Sequence, residues 1–237
     1  MPTYVSSTYT KSLLHFNGAD ASTTITDEKG IVWTKNGNVQ LDTAQKYFGS
    51  ASLLLDGAGD WLYNSAVFGP GAGSFCVDCW IKRAATGVVD TLFESRSAPT
   101  ATDGFSLSIQ TTNKLTVYVY SSFRCTSSTS IDTNWHHIAC IGNGSTVKIY
   151  IDGVLEDTWT SAYNFSNDGA YWGRNSNNTT FLDGWIDEAR ITVGDTCWTG
   201  AFTPYSSEYE LMATAQNYLI HRGRSRLRTR PVSGYGD

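Results

Sequence analysis

KLTVYVY (Lys114–Tyr120) and VKIYIDG (Val147–Gly153) decide the fold class of this chain. In the first, Leu115, Val117 and Val119 alternate with Thr116, Tyr118 and Tyr120; in the second, Val147, Ile149 and Ile151 alternate with Lys148 and Tyr150. Side chains project to opposite sides along a strand, so a period of two means one buried face and one outward face. FCVDCWIKR (Phe75–Arg83), WHHIAC (Trp135–Cys140) and DGWIDEARI (Asp183–Ile191) are further strand phrases, and no helical period runs between them. Strands separated by Gly, Asn, Asp and Ser turns predict an all-β, antiparallel two-sheet sandwich. The outward positions carry aromatic rings where solvated strands usually carry Thr, Lys or Glu, which is the first pointer to function.

LLHFNG (Leu13–Gly18) and KYFGSASLLLDGAGDWL (Lys46–Leu62) precede these phrases. WHHIA, then IYIDGV about ten residues on, then GxIDExRI is a specific combination. With the earlier phrases it resembles the laminin-G-like branch of the concanavalin A-like lectin/glucanase superfamily, from about Leu13 to Tyr205. The resemblance implies a jelly roll of two curved antiparallel sheets. That superfamily includes lectins, hydrolases and interaction modules, so function rests on sites.

At 237 residues, the chain accommodates one large β domain and a tail. We divide it into a lead-in (1–12), the sandwich (13–205) and a C-terminal anchoring tail (206–237). Glu208 onwards begins with helix formers, which predict two or three helical turns before Gly223. Residues 1–207 hold 12 basic against 19 acidic side chains, a net of −7, while 208–237 hold 5 against 3, a net of +2. All five tail cations, Arg222, Arg224, Arg226, Arg228 and Arg230, fall on alternate positions. Extended, they share one face and suit an acidic strip on a protein neighbour. A solvated tail and a nucleic-acid arm are the competing readings, and the acidic body argues against nucleic acid.

No apolar run approaches the roughly 20 residues that cross a bilayer, so no membrane insertion is expected. MPTYVSSTYTK has neither a basic n-region nor an apolar h-region and predicts no secretion signal. The five cysteines (Cys76, Cys79, Cys125, Cys140, Cys197) are an odd set for a disulfide framework. Cys76 and Cys79, three apart on one strand, point to opposite faces; Cys79 is expected to pack as a small hydrophobe, and one disulfide between neighbouring strands stays open.

Catalysis is not expected. Glycosidic hydrolysis by retention needs two carboxyl groups about 5 Å apart, and the superfamily's hydrolases carry them as E-x-D-x-x-E on one strand face. This chain has only the adjacent Asp187-Glu188, which a strand sends to opposite faces. In WHHIA, His136 is expected on the core side and His137 outward.

The resemblance implies a structural calcium between first and last strands, with Asn17 where the family commonly has Asp, and Asp187 as the other half. Calcium takes six to eight oxygens, and Asn in place of Asp removes a charge; otherwise no cofactor is required. If the family register holds, Trp80, Tyr118, Tyr120, His137 and Tyr150 share one outer face, where aromatic rings would stack on sugars. A rim around Asn175, Asn177 and Asn178 is the alternative glycan site. Burial of the aromatic face under the tail, a loop or another subunit is the competing account.

The sequence therefore suggests a non-enzymatic bacteriophage virion protein, presenting a lectin-like module to host glycans and attached through its tail. The alternatives are a capsid or tail decoration (cement) protein that binds other virion proteins and no sugar, and a cellular adhesion module, to which the sequons at Asn143, Asn164, Asn177 and Asn178 would belong. A homo-oligomer within the particle is expected under the virion reading, which itself rests on resemblance to phage structural proteins.

Overall fold

The structure is a computed structural model that describes residues 3–166 and 169–212. Its strands run β1 (Thr3–Ser6), β2 (Thr10–Leu14), β3 (Thr34–Asn36), β4 (Gln40–Asp42), β5 (Ser52–Asp56), β6 (Trp61–Asn64), β7 (Ser74–Arg83), β8 (Asp90–Glu94) and β9 (Ser106–Ile109). They continue as β10 (Lys114–Val119), β11 (Ser122–Ser130), β12 (His136–Asn143), β13 (Thr146–Ile151), β14 (Val154–Thr160), β15 (Ala170–Trp172), β16 (Asp183–Val193) and β17 (Tyr209–Met212). One sheet has the order β14-β13-β12-β7-β16-β5-β4, with β2 also on β16; we call it the eight-stranded sheet. The other, seven-stranded, has the order β11-β10-β9-β8-β15-β6-β3.

Between the sheets lies the core predicted by the alternation. Val77, Val117, Val119, Ile138, Ile149, Ile151 and Ile186 are all buried in one cluster with Phe75, Phe93, Phe105 and Trp172. Each such aliphatic side chain contributes roughly 1.5–3 kcal/mol by leaving water. Cys79 is in this core while Cys76, on the same strand, faces the other way, as the strand period requires.

Two stretches depart from the expectation. The lead-in contains β1 and the start of β2, and Tyr209–Met212, read as the beginning of a helix, is a strand parallel to β1. Helix propensity over one turn is worth tenths of a kcal/mol per residue, so a long-range partner overrides it. Residues 213–237, including Arg222, Arg224, Arg226, Arg228 and Arg230, lie outside the described residues.

Candidate functional site

The five aromatic and imidazole residues expected on one outer face do not share it. Trp80 (β7), His137 (β12) and Tyr150 (β13) belong to the eight-stranded sheet, whereas Tyr118 and Tyr120 lie on or just after β10 in the seven-stranded sheet. Alternation tells which side of its own sheet a residue faces, but not which sheet it joins. Trp80, His137 and Tyr150 do project away from the core, yet they are 5%, 0% and 0% exposed. Two segments cover them.

The first cover is the loop at 46–50. Tyr47 stacks on Trp80 with centroids 3.5 Å apart. Asp187 anchors this loop, its Oδ2 accepting the backbone N–H groups of Tyr47 (2.8 Å) and Phe48 (2.9 Å), while Asn17 Oδ1 accepts from Ser50 N (2.6 Å). Burial pushes the Asp187 carboxyl up to about 7, against those N–H bonds. Asn17 and Asp187, the expected calcium pair, thus point their oxygens at N–H donors, and Asp187 Oδ1 takes a third from Glu188 N (2.9 Å). This donor set does not fit an oxygen cage for calcium; it fastens a loop.

The second cover is a strap, residues 195–208, between β16 and β17. Trp198 and Phe202 stack in parallel at 3.8 Å, and the His137 ring meets each of them edge-on, at 5.7 and 5.6 Å. Cys76, Ala139, Ile141, Tyr150 and Cys197 complete this small apolar layer. Phe202 N donates to Gly153 O (3.0 Å), and a Cβ at Gly153 would come within 1.8 Å of Phe202 O, so only glycine admits the strap here. Beneath it, Asp78 accepts from Arg190 Nε (2.8 Å) and Tyr209 Oη (2.5 Å), with His137 Nε2 3.3 Å away. Burial works to raise Asp78, but Arg190 and His137 outweigh it and hold the carboxyl at about 2. His136, expected on the core side, is at the strand's end bonding Asp152 (2.8 Å) and Asp132 (3.1 Å).

At the junction of β2, β16 and β17, a bulge between Asp187 and Arg190, with Glu188 at φ 51°, turns Glu188 towards His15 Nδ1 (2.6 Å). Burial works against the His15 cation, yet the bond and charge of Glu188, with Glu208 and Glu28, raise its pKa. His15, Glu188 and Glu208 have ligand atoms within 4.8 Å of one another, as do Cys76, Asp78 and Cys197; among the described residues these two sets have metal-binding chemistry. A recess of ≈740 Å³ opens beside His15, Glu28 and Glu208, but Tyr209 in its lining is buried and His15 is held by Glu188, so its described lining is chiefly acidic.

The outer face of the seven-stranded sheet is different. Ladder partners place Phe123, Tyr118, Ser106, Glu94, Tyr171, Tyr63 and Thr34 in one row across all seven strands. At one end, a recess of ≈330 Å³ is lined by Tyr118 and Phe123, by Ser106, Ser108 and Gln110, and by Arg96, Asn175, Asn177 and Thr180. Phe123 is 55% exposed and meets Tyr118 edge-on at 5.3 Å. Arg96 lies over the Tyr118 ring at 4.9 Å, while its Nε and Nη2 donate to Glu94 at 2.8 and 2.7 Å and Nη1 to Pro99 O at 2.8 Å. The guanidinium is thereby committed to Glu94, and the recess presents amides and hydroxyls. Asn175 Oδ1 accepts from Thr179 N (2.9 Å) and Thr180 N (3.2 Å), which shapes the rim and leaves Asn177 exposed. Tyr120, at φ 51° past the end of β10, turns instead to the core edge against Trp159 (6.1 Å).

The structure therefore brings Tyr118 together with Asn175 and Asn177 of the candidate rim, without Asn178, and adds Phe123 and Arg96. Phe123 follows a turn after KLTVYVY, in SSFRC, where no alternation marks it.

A laminin G profile, described as the concanavalin A-like lectin/glucanases superfamily, matches residues 56–194, more than half of the chain. The chain belongs to this superfamily. No curated protein matches it. Among solved structures, domain 4 of AbnA, a GH43 extracellular arabinanase from Geobacillus stearothermophilus, in complex with arabinotriose, is similar at TM-score 0.56 and 20% identity, covering 78% of this chain and 93% of that one. The binding domain of Paraclostridial Mosquitocidal Protein 1 is similar at 0.57 and 15%, covering 78% and 49%. The receptor-binding domain of botulinum neurotoxin mosaic serotype C/D gives 0.55 and 14%, covering 91% and 51%. Our chain spans about half the length of these last two chains, and at such identities the fold is what they share.

Proposed function

We propose that this domain binds neutral glycans, without cleaving them, in the recess on the seven-stranded sheet. The observation that carries the reading is the pairing of Tyr118 and the exposed Phe123 with the polar Gln110, Asn175, Asn177 and Thr180 around one cavity. Sugar rings combine apolar C–H faces with hydroxyls, and an aromatic platform flanked by amides answers both. A neutral ligand is favoured because Glu94 occupies the guanidinium of Arg96. Binding without hydrolysis is supported by the lining, which among the described residues has no acidic member, whereas glycosidic hydrolysis uses two carboxyl groups. The arabinotriose complex of the arabinanase domain lends the fold, though not the residues, to this reading.

The setting we propose is the surface of a bacteriophage particle, with the arginine run Arg222–Arg230 of the C-terminal tail on an acidic neighbouring virion protein and the open face towards host glycans. A second reading, a cement protein binding virion partners and no sugar, is favoured by Val154 and Leu155, 59% and 43% exposed on edge strand β14. This exposed apolar start of β14 suits contact with a neighbour, including another copy of this chain, while Glu156 and Asp157 tie the rest of the strand to β11.

A glycan array followed by titration calorimetry tests the choice. Saccharide binding that Phe123→Ala weakens supports the glycan reading; silence across the array, with the full chain binding particles that lack it, supports the cement reading.

A further inference from the structure

We propose that Cys76 and Cys197 form a reversible disulfide that latches the strap to the eight-stranded sheet. All five cysteines are buried and unbridged. Cys79, Cys125 and Cys140 face the inter-sheet core, whereas Cys76 faces the covered outer layer and Cys197 is carried by the strap. The Cys76 and Cys197 sulfurs lie within 4.8 Å of each other, and the Cys76 thiol donates to Asp78 Oδ1 (3.5 Å).

The surroundings suit thiol chemistry that is gated by the strap. Burial first, then Cys197 and Asp78, hold the Cys76 thiol protonated while the strap is closed, and Arg190 opposes them. Arg190 lies over Trp198 at 5.1 Å, and its buried Nη2 has no hydrogen-bond partner. Opening the strap removes the burial, the largest of these effects, which favours the thiolate.

The oxidant is a small-molecule disulfide. The Cys76 thiolate attacks it, forming a mixed disulfide and expelling one thiolate; the Cys197 thiolate then attacks the Cys76 sulfur and expels the second. Two cysteine thiols are oxidised, one small disulfide is reduced to two thiols, and the two cysteine protons pass to the released thiolates. The product ties together segments about 120 residues apart, a loop long enough for a large effect on the unfolded chain. Oxidation would seal Trp198 and Phe202 over His137 and Tyr150, and reduction would let that layer open.

A zinc ion on the same two sulfurs is the competing chemistry, but Asp78, the third donor of the set, is already bonded to Arg190 and Tyr209.

The test uses the full chain, loosened in mild urea with oxidised glutathione and returned to buffer. The expected result is a fall in alkylatable thiols from five to three, a peptide joining Cys76 to Cys197, and a Tm higher by about 5–10 °C that dithiothreitol reverses. Cys76→Ser and Cys197→Ala, both folded by circular dichroism, should keep all their thiols and show no rise. Five remaining thiols in the wild-type chain, a Cys125–Cys140 peptide, or a bound zinc that protects both sulfurs would each overturn the proposal.

Discussion

The two sheets present outer faces written in the same alternating pattern and used in opposite ways. On the eight-stranded sheet, Trp80, His137 and Tyr150 form the floor of a second, smaller core beneath the 46–50 loop and the strap. On the seven-stranded sheet, Tyr118 and Phe123 border an open recess with amides around it. The difference lies in what arrives from elsewhere in the chain. One face receives apolar covers with hydrogen bonds that seat them; the other receives the Asn-rich rim, which bonds to itself and leaves space.

The covered face should respond to mutation as a core does. Tyr150→Ala removes a fully buried ring and should cost about 3–5 kcal/mol in urea unfolding, with no specific effect on saccharide affinity in protein that remains folded. A cost below about 1 kcal/mol would show that the strap is not seated in solution.

Acid sharpens the same contrast through Asp78. Its folded pKa, about 2, is below the ordinary 3.8, so the stability it contributes is fully present above pH 3.8 and is lost as pH falls through about 2. That contribution is roughly 2 kcal/mol. Denaturant melts between pH 5 and pH 2 should therefore be steeper for wild type than for Asp78→Asn, which starts less stable because it leaves Arg190 buried without its ion partner. Parallel curves would remove Asp78 from the account.

How much of this was legible in the sequence follows from the range of each interaction. Val117, Ile149 and their neighbours declare the core because strand period is local. The opposite facing of Cys76 and Cys79 was legible for the same reason. The covers were not: Tyr47 reaches Trp80, and Trp198 reaches His137, across long sequence separations, and nothing within WHHIAC or VKIYIDG marks those partners. Asn17 and Asp187 were singled out as an oxygen pair, and they matter through the backbone N–H groups they accept. Tyr118 and the Asn175 rim were each readable, but their meeting depends on the sheet order β10-β9-β8-β15, which no single strand encodes.

Open-face variants should act on binding and not on folding. Phe123→Ala should weaken saccharide affinity by about 1–2 kcal/mol, the scale of an aromatic contact, with Tm within about 1 °C of wild type; Trp80→Ala should do the reverse, losing stability as its stack with Tyr47 is removed. Calcium has the smallest expected effect. Because Asn17 and Asp187 are occupied by N–H donors, millimolar calcium after EDTA treatment should leave Tm unchanged, and a rise of several degrees would mean that the 46–50 loop rearranges around an ion.

Amide hydrogen exchange, read with and without a saccharide found on the array, tests the division of the two faces most directly. The account predicts new protection at residues 96–123 and 174–180, with residues 135–155 and the strap at 195–208 unchanged. Protection confined to the strap and the strands beneath it would contradict the account, because the ligand would then be opening the covered face.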